Sequence, residues 1–244
     1  MSLVALNPSA HKALKINAQL VPQIGANTHL IPVVVSEFQK LVVNYPIVFT
    51  KHADTGQFVC SALTGFNEGE NLFWQEGSWQ ALYIPAQIER HPFFVGQDTD
   101  TSGTAKPIVC FDSTSPAIAE TDGAALFNDD GTPTPLLNEK QQLLAQLLDG
   151  EQQTQRFIEA LLAHSLVTPV KLAVTFADGS EHMVQGIFTI DEDKLSQLSA
   201  EAIASLHAQQ WLGPIYTLIA STAQIYALIN RKNHRIENGN AWFS

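Results

Sequence analysis

Apolar residues in the second half of the chain recur at helical spacing. Two apolar stripes lie between residues 135 and 166: Leu143, Leu144, Leu147 and Leu148, then Phe157, Ile158, Leu161 and Leu162. Side chains three and four positions apart share one face of a helix, so the pattern predicts helix with a buried face. Pro135 suits the first helical position, and Gly150 is a candidate boundary between two helices.

Further helices are predicted towards the end of the chain, over residues 192–198, 200–210 and 214–232. Ser199 is a suitable N-cap for the second of these, because a serine hydroxyl accepts a hydrogen bond from a free backbone N–H of the first turn. Arg231 and Lys232 suit the C-terminal end of the third, where positive charge is favoured. The run Asp191-Glu192-Asp193 predicts the acidic start of a helix.

The first half of the chain carries short β-rich runs bounded by turn residues. "YPIVFT" and "QFVCSALTGF" flank the polar "KHADTG", which predicts a hairpin with a long loop. "GQDTDTSGTAKP" predicts a polar loop before the strand "PIVCF". One further hairpin is predicted late in the chain, in "VKLAVTFADGSEHMVQGIF", because Asp178-Gly179 is a preferred composition for a tight turn.

This order of elements, mainly strands first and helices later, predicts a fold class. We expect α+β, with antiparallel strands and hairpins in the N-terminal half and a helical C-terminal half interrupted by one β-hairpin. The chain has 244 residues, which is enough for one large core. We therefore predict a single domain over residues 1–244, with a candidate sub-boundary near 130–135.

The segment "NLFWQEGSWQALYIP" concentrates aromatic residues around a predicted turn. A two-residue loop would place Trp74 opposite Trp79, whereas a three-residue loop ending in Gly77 would place Phe73 opposite Trp79. Tyr83 follows on the same strand. These aromatics either stabilise the fold from inside or form a binding surface. We predict a mainly structural role, because buried aromatics are the commoner case.

Composition and charge narrow the class of partner. Apolar residues make up 45% of the chain and charged residues 15%, with a formal net charge of −11. Phosphate backbones and anionic membrane surfaces repel such a chain, so we expect no nucleic-acid partner. The low share of charged residues instead favours a protein partner or a homo-oligomer. Cys60 and Cys110 lie in apolar segments and are predicted to be buried thiols.

One uncharged stretch, residues 208–230, tests whether the chain spans a membrane. It contains Gln, Thr and Ser within its apolar pattern, and Gly213-Pro214 near its start. We therefore predict a buried helix and no membrane span. The first residues show no basic segment followed by an apolar one, so we expect no secretory signal and a cytoplasmic location.

Two fragments carry candidate metal chemistry. His52-Ala53-Asp54 has the His-x-Asp spacing of a facial-triad iron site, which also needs a distant histidine. Asp98, Asp100 and Ser102 resemble the first half of a calcium loop, but the twelfth position is valine rather than glutamate. Both fragments are also ordinary polar loops. We expect no cofactor and no bound metal, with His52 and Asp54 as the alternative site.

Several longer segments together resemble those of the SapC family of bacterial proteins, in the family's order and over nearly the whole chain. They are "LNPSAHKALKI", "YPIVFT", "GENLFW", "WQALYIP", "ERHPFF", "LFNDDGTPTP", "GIFTIDEDKL" and "LHAQQWLGPIY". The resemblance implies a link to a paracrystalline bacterial surface layer, from which the family takes its name. It also implies gene neighbours that encode flavin-dependent tryptophan halogenase-like proteins and outer-membrane TonB-dependent receptors. It carries over no catalytic residue.

Two functional hypotheses follow. The first is a non-catalytic interaction or accessory protein linked to a surface-layer or outer-membrane uptake system, with Trp74, Trp79, Tyr83 and Phe73 as candidate binding residues. The second is a metal-dependent enzyme or substrate-modifying accessory that uses His52 and Asp54. Metal analysis of the purified protein discriminates between them.

Overall fold

A computed structural model of the chain describes residues 2–99, 103, 105–119 and 121–240, and it confirms the α+β class. The strands of the described residues are β1 (Leu3–Ala5), β2 (Lys15–Ile16), β3 (Leu30–Pro32), β4 (Ile47–Lys51), β5 (Phe58–Leu63), β6 (Trp74–Gln75), β7 (Ser78–Trp79), β8 (Phe93–Thr99), β9 (Ala105–Asp112), β10 (Ile118–Ala119), β11 (Ala124–Ala125), β12 (Val167–Pro169), β13 (Leu172–Thr175), β14 (Glu181–Val184) and β15 (Phe188–Ile190). The α-helices are α1 (Phe38–Leu41), α2 (Ala86–Glu89), α3 (Pro135–Ala163), α4 (Glu192–Ser196), α5 (Ala200–Ala208), α6 (Leu212–Ser221) and α7 (Gln224–Asn240).

The chain forms two compact units, each built from two separate stretches of sequence. The first unit contains residues 1–25 and 86–149, and the second contains residues 26–85 and 150–244. Each unit has its own cluster of buried apolar side chains. Helix α3 contributes its first half to one unit and its second half to the other. The prediction of one domain with a sub-boundary near 130–135 stays a prediction.

The first unit is built around the hairpin of β8 and β9, with β1 paired to the other side of β9. This hairpin corrects the polar loop predicted over "GQDTDTSGTAKP", because β8 continues through Gly96, Gln97 and Asp98, which pair with residues of β9. Backbone hydrogen bonds form the ladder, so polar side chains do not prevent it where one face of the sheet meets water. Asp100 and Ser102 of the candidate calcium loop lie outside the described residues.

The second unit contains a five-stranded antiparallel sheet with strand order β12-β15-β4-β5-β3. The predicted hairpin of β4 and β5 is confirmed, with Phe49 paired to Cys60. The late strands β12 and β15 extend this sheet, since Phe188 of β15 pairs with Phe49 of β4. The C-terminal half thus contributes more than the single predicted hairpin of β13 and β14, which is also present.

Helix α3 is one uninterrupted helix of 29 residues. Gly150 therefore does not separate two helices, and that prediction is wrong. An ideal Cβ on Gly150 would lie 2.8 Å from Cγ2 of Val34, which is buried. Real Cβ atoms do not approach so closely, so glycine permits α3 to contact Val34. Thr154, one turn later, accepts a hydrogen bond from the Val35 amide.

The C-terminal helices follow the prediction at their starts but not at their ends. Ser199 caps α5 by accepting a hydrogen bond from the Ala202 amide, and Asp191 caps α4 in the same way. The third predicted helix is divided into α6 and α7 at residues 222–223, and α7 continues to Asn240. Arg231 and Lys232 therefore lie in the middle of α7, not at a helix end, and their side chains bind Gln80 and Glu70.

Candidate functional site

Of the two registers predicted for the aromatic segment, the structure has the one with a two-residue loop. Trp74 of β6 pairs with Trp79 of β7, and Gln75 pairs with Ser78. Glu76 and Gly77 form the turn with φ angles of +50° and +76°. Such a turn needs left-handed backbone at both positions, which glycine adopts freely and glutamate does not. The cross-strand tryptophan pair and the bonds made by the rest of the segment hold Glu76 in this conformation.

Trp79 and Tyr83 are tied to the core by a chain of hydrogen bonds. The Trp79 indole donates to the Tyr45 hydroxyl over 2.7 Å, and that hydroxyl donates to the Tyr83 carbonyl over 2.6 Å. The Tyr83 hydroxyl donates to Glu37 Oε1 over 2.9 Å. Burial raises the pKa of the Tyr45 phenol, although the hydrogen bond from Trp79 and the charge of Arg231 oppose the shift. Tyr45 therefore stays a neutral donor.

Side chains of helix α7 also bind the aromatic segment. The Arg231 guanidinium lies 4.5 Å from the centre of the Phe73 ring and donates to the Gln80 carbonyl. Arg235 donates to the carbonyls of Asn71 and Trp74. Lys232 pairs with Glu70 at 2.5 Å, and both of these side chains are largely buried. The cations of α7 thus bond to backbone carbonyls of the aromatic segment and to the carboxylate of Glu70, which directly precedes it.

The four predicted binding residues are brought together, but to different depths. Phe73 is buried in the core, whereas Trp79 and Tyr83 are half-buried and pack against it. Trp74 is also half-buried and makes no side-chain hydrogen bond to the described residues. The contacts described above fasten the hairpin to the rest of the second unit.

His52 and Asp54 lie in the exposed loop between β4 and β5. The Asp54 amide donates to His52 Nδ1 at 3.3 Å, and the Gly56 amide donates to the His52 carbonyl. Within the part of the chain that the structure describes, no three His, Cys, Asp or Glu side chains are grouped closely enough to hold a metal ion. The spacing of these two residues therefore gains no third ligand from the fold.

Sequence reasoning missed a groove in the second unit, which we call the Trp211 groove. It consists of two clefts, of about 720 and 450 Å³, that share Gln153, Gln209 and Trp211 as lining residues. The larger cleft lies between α3 and α5, and the smaller one lies between residues 35–39 and the start of α6. The signal in the sequence was "QQWLGP", where a tryptophan follows two glutamines at a helix break.

The outer face of α6 and α7 is a second exposed feature. Tyr216 is 56% exposed and Tyr226 is 74% exposed. The segment Leu212–Asn238, which contains α6 and most of α7, is long and apolar enough for one membrane span. In its apolar 18-residue stretch, 22% of the residues are buried. Length and composition alone are weak evidence, because core helices of soluble proteins meet the same criteria.

The comparisons with known proteins identify the family and no individual relative. No curated protein and no solved structure matches this chain. The family model named SapC matches residues 6–228, which includes most of both compact units and every segment on which the resemblance was based. Since this match covers far more than half of its residues, the chain belongs to the SapC family.

Proposed function

We propose that this SapC-family chain is a non-catalytic interaction or accessory protein. The uncharged outer face of α6 and of the first part of α7, up to residue 230, is then its docking surface, and we call it the tyrosine face. Tyr216 and Ala220 of α6 are exposed four residues apart, which places them on one side of that helix, and Ala223 and Ala227 are also exposed at the turn and in α7. Tyr226 is exposed next to Ala227. Exposed apolar surface of this kind is typical of protein interfaces, where tyrosine is enriched.

A second copy of the chain is the partner that this face suits best. The chain has a net charge of −11, yet residues 208–230 contain no charged side chain. Two copies that meet through this stretch bring no like charges together, whereas other faces of so acidic a chain repel each other. Closed two-fold dimers are also the commonest oligomers of soluble proteins.

Two more exposed apolar side chains lie beside the tyrosine face. Gln224, in the first turn of α7, donates from its side-chain amide to the Val43 carbonyl, and Val43 is 51% exposed. The Leu82 amide donates to the side chain of neighbouring Asn44, and Leu82 is 86% exposed. These residues extend the apolar area around the start of α7.

The biological setting of this interaction comes from the family. SapC-family membership favours a role in a bacterial surface-layer or outer-membrane uptake system. An accessory protein of such a system works by docking, so a self-associating chain with one uncharged face fits it.

Sedimentation velocity over a range of protein concentrations tests the proposal. The wild-type chain is expected to self-associate, and the double variant Tyr216→Ser/Tyr226→Ser is expected to sediment as a monomer with an unchanged melting temperature. Met183→Ser is the matched control, because Met183 is an exposed apolar residue of β14 and lies outside α6 and α7. A wild-type chain that stays monomeric throughout, or a double variant that associates like wild type, contradicts the proposal.

A further inference from the structure

The Trp211 groove presents an aromatic ring that the core holds in place. The Trp211 ring packs against the fully buried Phe157, with ring centres 5.6 Å apart. Its indole N–H donates to Gln209 Oε1 at 3.2 Å, and the Gln209 amide nitrogen donates to the carbonyl and hydroxyl of Ser205. Since Trp211 lines both clefts, one rigid aromatic side chain stands between them.

Around this ring the groove offers amide groups with no other role in the fold. The side chains of Gln39, Gln153 and Gln210 line the smaller cleft, and none of them forms a side-chain hydrogen bond to the described residues. A carboxamide can donate and accept at the same time. Three such groups beside an aromatic ring suit a ligand whose groups also do both.

Gln210 adopts a backbone conformation that favours glycine. It directly follows the C-cap of α5 with φ of +64°, and the Trp211 amide closes the turn on the Leu206 carbonyl. Glycine is the usual residue at this position because a Cβ is strained there. Strained residues cluster at ligand sites. Glycine at position 210 would relax the backbone but would remove an amide from the groove.

The uncharged lining of the smaller cleft disfavours charged ligands there. The smaller cleft has no ionisable lining residue. The larger cleft is lined by three ionisable residues, Arg156, Glu159 and His164; Arg156 donates to the Gln152 carbonyl and Glu159 accepts from Gln155. A phosphate ligand needs free cations, which are absent from the described residues of the smaller cleft. The lining residues lie on helices and turns, so an extended peptide finds no strand edge to pair with.

We propose that the Trp211 groove binds a neutral saccharide, whose apolar ring face stacks on Trp211 and whose hydroxyls bond to Gln39, Gln153 and Gln210. Sugar hydroxyls donate and accept together, as the carboxamides do. The two clefts have the volumes of small-ligand sites, and together they have room for more than one sugar ring. This site is separate from the tyrosine face, because neither Tyr216 nor Tyr226 lines either cleft.

A panel of neutral oligosaccharides, including glucose and N-acetylglucosamine oligomers, tests the proposal by titration calorimetry. For a panel member that binds, Gln153→Ala is expected to weaken affinity about three- to tenfold, the loss of one neutral hydrogen bond. Gln152→Ala is the matched control, because Gln152 is the exposed neighbour on the same helix and lines neither cleft. Its affinity is expected to equal that of the wild type.

Gln210→Gly supplies a readout that a merely structural role would not produce. We expect this variant to have a higher melting temperature than the wild type and a weaker affinity for the saccharide. Tryptophan emission adds a positional check: saccharide is expected to change it in the wild type and not in Trp211→Phe.

Three results would overturn the proposal. They are no binding by any neutral oligosaccharide in the panel, equal affinities for Gln153→Ala and Gln152→Ala, and binding restricted to anionic glycans or to peptides. The variant Tyr216→Ser/Tyr226→Ser is expected to bind saccharide like the wild type. The saccharide result and the self-association result are therefore independent.

Discussion

His91 shows how one side chain couples stability to pH. Burial lowers the pKa of this imidazole to about 4, and the charge of Arg90 adds to the shift, whereas Asp112 opposes it. The His91 ring also packs nearly perpendicular to the Phe94 ring, with ring centres 5.2 Å apart. The unfolded chain therefore binds a proton at a pH where the folded protein does not.

We predict that the free energy of unfolding decreases as the pH falls from 6.5 towards 4. The contribution of His91 is complete above pH 6.5 and is lost through that window, because protonation favours the unfolded state. His91→Gln is expected to flatten the dependence in urea unfolding. His234→Gln, at an exposed position of α7, is the control. An identical slope for wild type and His91→Gln would contradict the assignment.

A single substitution in the tryptophan hairpin tests whether Trp79 stabilises the fold. Trp79→Phe keeps an aromatic ring but loses the hydrogen bond to Tyr45, so we expect a loss of about 1 kcal/mol of unfolding free energy. Trp74→Phe is the matched control, because the Trp74 indole makes no hydrogen bond to the described residues, and it is expected to lose less. Denaturant melts and sedimentation measure stability and association together. Unchanged stability with lost association in Trp79→Phe would make the hairpin a binding surface.

Among the elements, α3 approaches Val34 closely at Gly150, a residue that helix propensity disfavours. Gly150→Ala improves propensity, but its Cβ meets Val34 at 2.8 Å in a filled core. We expect a net loss of about 1–3 kcal/mol of unfolding free energy, the usual effect of overpacking. Gly213→Ala in α6 is the control, because a Cβ there has no atom within 4 Å, and the change is expected to stabilise by up to about 1 kcal/mol. If Gly150→Ala were as stable as Gly213→Ala, the close contact with Val34 would be refuted.

At the scale of the whole molecule, helices α6 and α7 bear on the membrane question. Ile215, Leu218 and Leu228 are buried in the core of the second unit, and the buried Ser221 hydroxyl accepts a hydrogen bond from the Ile47 amide. A membrane span would have to break these contacts. We predict that detergent-free fractionation of cells recovers the intact chain in the supernatant. Recovery only in the membrane pellet would reject this prediction.

Metal content tests the alternative function of the whole chain. His52 and Asp54 lie in an exposed loop, and the fold adds no third ligand to them among the described residues. We therefore predict that elemental analysis of the purified protein finds no stoichiometric transition metal. Stoichiometric iron that disappears in His52→Ala would instead support the metal-dependent enzyme.

Local pattern by itself determined the class of fold and several of its longer elements. Helical spacing predicted α3 and α5, and turn composition predicted the hairpins at Glu76-Gly77 and Asp178-Gly179. The cap at Ser199 and the acidic helix start at Asp191 were predicted because each depends on residues within one turn of the chain. The family was also recognisable, since its segments follow one another along the chain.

Tertiary contacts decided the rest, for reasons that a local pattern cannot contain. In the sequence, Gly150 resembles a helix boundary. The fold shows that it instead makes room for Val34, which is more than a hundred residues away in sequence. In the sequence, Arg231 and Lys232 indicate the end of a helix. In the fold they bind the carbonyl of Gln80 and the carboxylate of Glu70, which are distant in sequence. The Trp211 groove is assembled from α3, α5, α6 and residues 35–39. Its amides and its tryptophan become one surface only when these segments pack together.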